Sequence, residues 1–173
     1  KNEVVPELRL GYARTLLSLQ LSEEAIGQLV QLNAKHPDFA EGWLIHGLVL
    51  QEKGQFQDAE KHLERYVGLV ANSNTPEHQA GLAEALMALV QIAQKNDQLE
   101  RAKQWLSQIP AGADPVKLAS RQAELLTQQG RLDEAKRVLA QIKTTNAEQA
   151  RRKILAQSFW LREHREAQAA YSL

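Results

Sequence analysis

Several features that would mark an enzyme, a membrane protein or a nucleic-acid binder are missing from the sequence. It contains no cysteine, which excludes disulfides, thiolate metal sites and cysteine nucleophiles. The 21 lysines and arginines balance the 21 aspartates and glutamates, so no net charge attracts nucleic acid or anionic lipid. No apolar run approaches the roughly 18 residues that a membrane-spanning helix needs. We therefore expect neither nucleic-acid binding nor direct membrane insertion.

Glycine and proline are also scarce, at 9 and 5 residues in a chain of 173, and the prolines fall where helical patterns begin or end. No segment shows the alternation of a strand over more than a few residues. The expected fold class is all-α. The chain starts at Lys1 without a methionine and stops at Leu173 inside a helical pattern, as expected of a fragment of a longer protein.

Small residues recur along the chain with a period in the thirties. Ala25 and Ala59 are 34 residues apart. A corresponding pair further along the chain, Ala102 and Ala135, is 33 apart. A second, mostly small series runs twelve residues earlier: Ala13, Gly47, Val90, Ala123 and Ser158. Two antiparallel helices approach closely only where a side chain is nearly absent. The pattern therefore predicts a right-handed superhelical solenoid of antiparallel helix pairs, with about five repeats.

We predict a single solenoid domain over residues 1–173. Its repeats are expected at about 6–39, 40–73, 76–110, 114–144 and 145–173, with the last one truncated. The rhythm breaks at residues 71–75, where the spacing from Gly47 to Val90 stretches to 43. This excess predicts a longer loop, followed by a longer helix that starts near Pro76, with Thr75 at its N-terminus.

Other helix ends have recognisable signals. Gly54 is expected to end its helix in a left-handed conformation, and Asp114 to cap the fourth hairpin. In the fifth hairpin, which Thr145 and Asn146 open, Gln149 is expected to reach back as a capping-box partner.

The second repeat carries the clearest motif, Trp43-x2-His46-Gly47-x2-Leu50 followed by Ala59-x3-Leu63. This arrangement resembles the tetratricopeptide repeat (TPR), and the match extends over essentially the whole chain. The resemblance implies a protein or peptide partner.

Three stretches, at 8–14, 89–93 and 129–135, are similar to the long TPR lipoproteins of Gram-negative bacteria. That narrower resemblance implies a place on the periplasmic face of the outer membrane, and a protease or its substrate as partner. The protease that the resemblance implies is a carboxyl-terminal processing protease. If the chain is not one of these lipoproteins, a cytoplasmic location is expected.

The inventory of reactive residues does not favour an enzyme. None of the five histidines is paired with another on one helical face, and no glycine-rich phosphate loop occurs. His46 occupies a slot where the repeat pattern has leucine, so we expect it to be a hydrogen-bonded core residue. The run Arg151–Lys153 is expected to be a solvated face. We predict no catalytic, cofactor-binding or metal-binding residue.

The first helix of each pair should line a concave groove. The position next to the core slot gives one set of groove residues: Leu10, Leu44, Met87, Ser120 and Leu155. One helical turn further on stands a second set: Arg14, Leu48, Gln91, Glu124 and Phe159. Leu44, Leu48 and Met87 are predicted to be partly exposed and to bury against a partner, although contacts between repeats are the alternative for each. Arg121 and Arg152 are predicted to orient the ligand.

We therefore predict a non-catalytic scaffold that binds a peptide segment or a folded partner on its concave surface, without a cofactor. The alternatives are a structural spacer and a regulatory module of a larger protein whose catalytic domain lies outside this chain. The sequence leaves the identity of the partner and the oligomeric state open.

Overall fold

A computed structural model describes the backbone of residues 5–171 and the side chains of residues 5–163. These described residues form nine helices and no strand. The helices are α1 (Pro6–Ser18), α2 (Ser22–Lys35), α3 (Ala40–Glu52), α4 (Phe56–Val70), α5 (Pro76–Lys95), α6 (Leu99–Ser107), α7 (Pro115–Gln128), α8 (Leu132–Ala140) and α9 (Ala147–Tyr171). The predicted all-α repeat fold is confirmed.

Consecutive helices pack in pairs, α1 with α2, α3 with α4, α5 with α6 and α7 with α8. The small residues of the repeat lie at the contacts, and the alanines of the second helices are fully buried: Ala25, Ala59, Ala102 and Ala135. At Gly47 a Cβ atom would lie only 2.7 Å from Cγ of Leu63. The helices α3 and α4 therefore meet at a position where any larger residue would force a shift. The periodicity of small residues thus reports helix contacts, as predicted.

The break in the rhythm at residues 71–75 is a loop, and α5 follows it with 20 residues, against 13 or 14 in α1, α3 and α7. The Thr75 side chain accepts a hydrogen bond from the His78 backbone N–H, which satisfies one of the free donors at the start of α5. Both features were predicted. Gly54 also has the expected left-handed conformation, with φ at 75°.

The fifth repeat differs from its prediction. Asn146 and Gln149 form the expected capping arrangement, because the Asn146 side chain accepts from the Gln149 N–H and the Gln149 side chain accepts from Thr145 N–H. However, α9 then runs without a turn from Ala147 to Tyr171. No glycine or proline occurs after Gly130, so nothing in the sequence breaks this helix where a second helix was expected. The described residues therefore form four helix pairs and one long helix.

The chain divides into two compact units, Lys1–Pro110 (unit 1) and Ala111–Leu173 (unit 2). The largest core of unit 1 lies among α3, α4 and α5 and includes Leu44, Leu63, Tyr66, Leu86 and Leu89. A smaller core lies between α1 and α2. In unit 2 the core lies among α7, α8 and α9 and includes Val116, Ala123, Ala135 and Leu139.

Candidate functional site

Two of the predicted groove residues of unit 1 are buried inside the protein. Leu10 is 6% exposed and Leu44 is 7% exposed. A Cδ atom of Leu44 lies 3.1 Å from where Gly81 of α5 would carry a Cβ, so α5 closes over this leucine because Gly81 has no side chain. The prediction that Leu44 is partly exposed is therefore wrong, and its side chain fills a contact between consecutive repeats.

Leu48 lies in a surface pocket of unit 1, between the α1–α2 turn and α3. The pocket has a volume of about 420 Å³. Its walls are Leu17, Gln20, Ser22, Ile45, Leu48, Val49 and Glu52. Gln20 has a positive φ of 62°, which bends the chain sharply between α1 and α2. The predicted partial exposure of Leu48 is confirmed, and its buried part packs against the core among α3, α4 and α5.

The remaining predicted residues of unit 1 are spread over different surroundings. Met87 is partly buried, and Arg14 is exposed. The Gln91 side chain accepts a hydrogen bond of 2.8 Å from Nε2 of Gln51, which joins α5 to α3. This bond gives Gln91 a structural role between two repeats.

Unit 2 holds a second pocket, which we call the α7–α9 groove. It is lined by Ser120, Ala123, Glu124, Leu139, Ala156, Phe159, Trp160 and Glu163. Ala123 and Leu139 are buried at its floor, whereas Phe159 is 54% exposed at its wall. The volume of about 100 Å³ is well below the range of small-molecule sites, and it suits a single apolar side chain. Of the predicted residues, Ser120, Glu124 and Phe159 meet here.

Four side chains of α9 hold it against α7 and α8. Arg152 pairs with the Asp114 carboxylate at 2.7 Å, and Lys153 donates to the carbonyl oxygens of Ala140 and Ile142 at the end of α8. Further along, Gln157 donates to the carbonyl of Leu139, and Nε1 of Trp160 donates to Oγ1 of Thr127. The wall of the groove is therefore pre-organised before a ligand arrives.

These contacts correct the prediction that Arg151–Lys153 is a solvated face, since only Arg151 is exposed. A cation beside the last carbonyl groups of α8 is favourable because those groups carry the negative end of the helix dipole. The carboxylate of Asp114 also caps α7, accepting from the backbone N–H groups of Val116 and Lys117. Burial raises the pKa of Asp114, but the bonds from Arg152 and the two N–H groups outweigh it and hold the pKa below its usual value.

The two arginines predicted to orient a ligand are already engaged within unit 2. Arg121 pairs with Glu124 at 2.6 Å along α7, and Arg152 pairs with Asp114. Neither arginine lines the α7–α9 groove. The charged residues that do line it are the carboxylates Glu124 and Glu163. The predicted groove carried Arg121 and Arg152 together with Glu124, whereas in the structure Glu124 lines the groove and the two arginines do not.

The exposed side of α9 carries further apolar residues. Ile154, Leu155 and Phe159 are more than half exposed, and Leu161 is 40% exposed. Leu155 precedes Phe159 by four residues and lies on the same side of the helix, whereas Ile154 and Leu161 lie nearly opposite Phe159. The guanidinium of Arg162 lies 5.6 Å from the centre of the Phe159 ring, which is a cation–π distance. Ser158, which the repeat pattern places in a helix crossing, is exposed because no second helix packs on this face within the described residues.

A histidine pair in unit 1 was not anticipated. His46 is 4% exposed, and its Nδ1 accepts from Nδ2 of Asn33 on α2 at 3.3 Å, which confirms the predicted hydrogen-bonded core residue. Its ring also lies 4.2 Å from that of His62 on α4. Burial, reinforced by the nearby His62, lowers the pKa of His46 to about 4, although Asp58 opposes this. The sequence holds one signal for this pair, which is the position of each histidine relative to the small residue of its helix. His46 comes one residue before Gly47 on α3, and His62 comes three residues after Ala59 on α4.

In the part of the chain whose side chains are described, no three histidine, aspartate or glutamate residues are grouped so as to hold a metal ion. None of the described helices is both long and apolar enough to cross a membrane.

These helix pairs with small residues at their contacts form a TPR-like helical-repeat fold. The chain is similar to the structure of a putative kinesin light chain from Podosopora anserina with nearly identical TPR-like repeats, at a TM-score of 0.70 and 19% identity. That match covers 98% of this chain and 93% of the other. It is also similar to a thermophilic TPR protein from Thermus thermophilus, at a TM-score of 0.64 and 23% identity, over 90% of this chain and 82% of the other.

No family model matches the sequence, and no curated protein sequence matches it. At identities of 19% and 23%, the likeness to the two solved structures concerns the fold.

Proposed function

We propose that this chain is a non-catalytic protein-interaction module, which binds an apolar side chain of a partner segment in the α7–α9 groove. Helical-repeat proteins of this architecture generally present extended surfaces to other proteins. The observation that carries the proposal is the preformed cavity between α7 and α9, with the half-exposed Phe159 at its wall.

The energetics define what kind of partner is needed. Burying one leucine-sized side chain contributes about 1.5–3 kcal/mol, whereas micromolar affinity requires about 8 kcal/mol. The groove alone therefore holds an anchor and not a whole ligand. A further contact is available beside it, because Leu155 is exposed on α9 one helical turn before Phe159. A helical or extended segment that places one apolar residue in the cavity and others along α9 meets this requirement.

Filling the cavity tests the proposal. Peptides are selected from a phage-displayed library on the 173-residue chain, and their affinities are then measured by fluorescence polarisation. Ala156 lies partly buried in the groove, so Ala156→Leu should occupy the cavity and weaken the selected peptides at least about tenfold, as expected for loss of about 1.4 kcal/mol or more. Ala80 is exposed on α5, so Ala80→Leu is the matched control and should bind normally.

A second variant keeps the test informative if Ala156→Leu lowers the melting temperature. Phe159→Ala removes a side chain that is 54% exposed, so it should weaken peptide binding with little effect on the melting temperature. Selected peptides that bind both variants as tightly as the unmodified chain would place the interaction elsewhere. Failure to select any peptide that binds specifically would favour the spacer alternative.

The finer proposal that follows from the lipoprotein resemblance concerns the compartment and the partner. It places the chain on the periplasmic face of the outer membrane, with a carboxyl-terminal processing protease or its substrate as partner. This proposal is supported by the three sequence stretches alone. Biolayer interferometry between the chain and a purified protease of that class tests it, and no binding at high micromolar concentration would reject it. A regulatory module of a larger enzyme predicts instead that the chain alters the activity of a domain joined to it.

A further inference from the structure

The charged residues that line the α7–α9 groove, within the part of the chain whose side chains are described, are Glu124 and Glu163, and both are acidic. The rest of the lining is apolar except for Ser120. The pocket of unit 1 is similar, because Glu52 is the only charged residue among the described residues that line it. Each pocket thus combines an apolar interior with a carboxylate at its edge.

The two carboxylates of the groove are not equivalent. Glu124 is held by Arg121 on its own helix, so much of its charge is already balanced. Glu163 makes no ion pair with any residue whose side chain the structure describes. It follows Phe159 by four residues and therefore lies on the same side of α9 as the exposed ring. A cation on a bound segment would find its counter-charge at Glu163, next to the apolar wall.

We propose that the α7–α9 groove selects segments in which an apolar side chain is flanked by lysine or arginine, with the apolar side chain in the cavity and the cation at Glu163. The proposal rests on the proposed function of the groove and adds the chemistry of the partner. It differs from the sequence-based prediction that Arg121 and Arg152 orient the ligand, because both arginines are paired within unit 2.

A charge at the exposed edge of a binding groove changes the choice between ligands more than it changes the total affinity. Exposed ion pairs contribute modestly because water screens them, whereas like charges placed side by side disfavour the wrong ligand. We therefore expect a basic peptide to bind about three- to tenfold tighter than its neutral counterpart, and an acidic peptide to bind more weakly than either. The preference should shrink as the salt concentration rises, since salt screens exposed charges.

The test uses three labelled peptides of sequence Gly-X-Leu-Leu-X-Gly, in which X is lysine, glutamine or glutamate. Their affinities for the full chain are measured by fluorescence polarisation at low and at high salt. Glu163→Gln should reduce the preference for lysine over glutamine to less than about half of its original value. Glu148 is exposed in the first turn of the same helix and does not line the groove, so Glu148→Gln is the matched control and should keep the preference.

The outcomes separate this inference from the proposed function. If all three peptides bind equally, and binding is lost in Ala156→Leu, the groove binds apolar segments but the charge selection is refuted. If the glutamate peptide binds tightest, or if Glu148→Gln removes the preference as fully as Glu163→Gln does, the assignment to Glu163 is wrong. If neither these peptides nor phage-selected ones bind, the proposed function of the groove fails and this inference fails with it.

Discussion

Protonation of His46 should destabilise unit 1 as the pH falls below neutral. In the unfolded chain this histidine has a pKa near 6.5, whereas burial lowers the pKa to about 4 in the folded protein. Between these two values the unfolded chain binds a proton that the folded protein does not, so the free energy of unfolding decreases as the pH falls. The full loss is about 3 kcal/mol, at about 1.4 kcal/mol per pKa unit, and it is complete below about pH 4.

The measurement is urea unfolding followed by circular dichroism, between about pH 7.5 and about pH 5. Over that interval His46 alone should lower the free energy of unfolding by about 2 kcal/mol. The carboxylate of Asp114 does not contribute there, because its folded pKa lies below its usual value and its stabilisation is lost only at lower pH.

A double variant isolates the histidine from the other titrating groups. Asn33→Val with His46→Leu reproduces the residues at the corresponding positions of the next repeats, Val67 and Leu89. Leu89 is fully buried, so leucine is compatible with this slot. Between about pH 7.5 and about pH 5, the free energy of unfolding should fall by about 2 kcal/mol less in the double variant than in the unmodified chain. Equal pH dependence in both proteins would refute the argument that burial keeps His46 uncharged.

Two further predictions concern stability. Gly47→Ala should cost about 1–3 kcal/mol of stability, because its Cβ would lie 2.7 Å from Leu63. Gly68→Ala is the control, since a Cβ there has nothing within 4 Å, and it should stabilise α4 by about 0.5–1 kcal/mol. Melting temperatures that move in the same direction for both variants would contradict the close contact at Gly47. Asp114→Ala should cost about 1–2 kcal/mol, because it removes both the N-cap of α7 and the partner of Arg152. Its effect should exceed that of Asp133→Ala, an exposed acidic residue of α8, and equal melting temperatures for the two variants would argue against the cap.

Local patterns along the sequence were sufficient to predict most helix boundaries. Thr75, Asp114 and Gln149 act within four residues of the backbone groups they bind, so their roles depend on short stretches of chain. The small residues were equally informative, because the contact between paired helices excludes large side chains at any position that carries the crossing. Ala59 and Gly47 therefore mark the second helix pair in the sequence alone.

The candidate site was only partly predictable. Glu124 and Phe159 were selected from their register in the repeat, and they do line one groove. Leu44 has the same register as other groove positions, yet it is buried because Gly81, 37 residues away in the sequence, lets α5 approach it. Exposure of a side chain depends on what packs over it, and a helical register alone does not contain that information.

The sequence by itself determined the helical class, the pairing of neighbouring helices and most of their ends, since these follow from short-range hydrogen bonds and from side-chain size. The tertiary structure decided the use of each charge and of each buried polar group. Arg152 and Asp114 are 38 residues apart, and His46 and His62 lie on different helices. Coulomb and desolvation energies depend on distance and burial in space. Only the folded chain shows that Arg121 and Arg152 are paired within unit 2 and that its groove presents carboxylates.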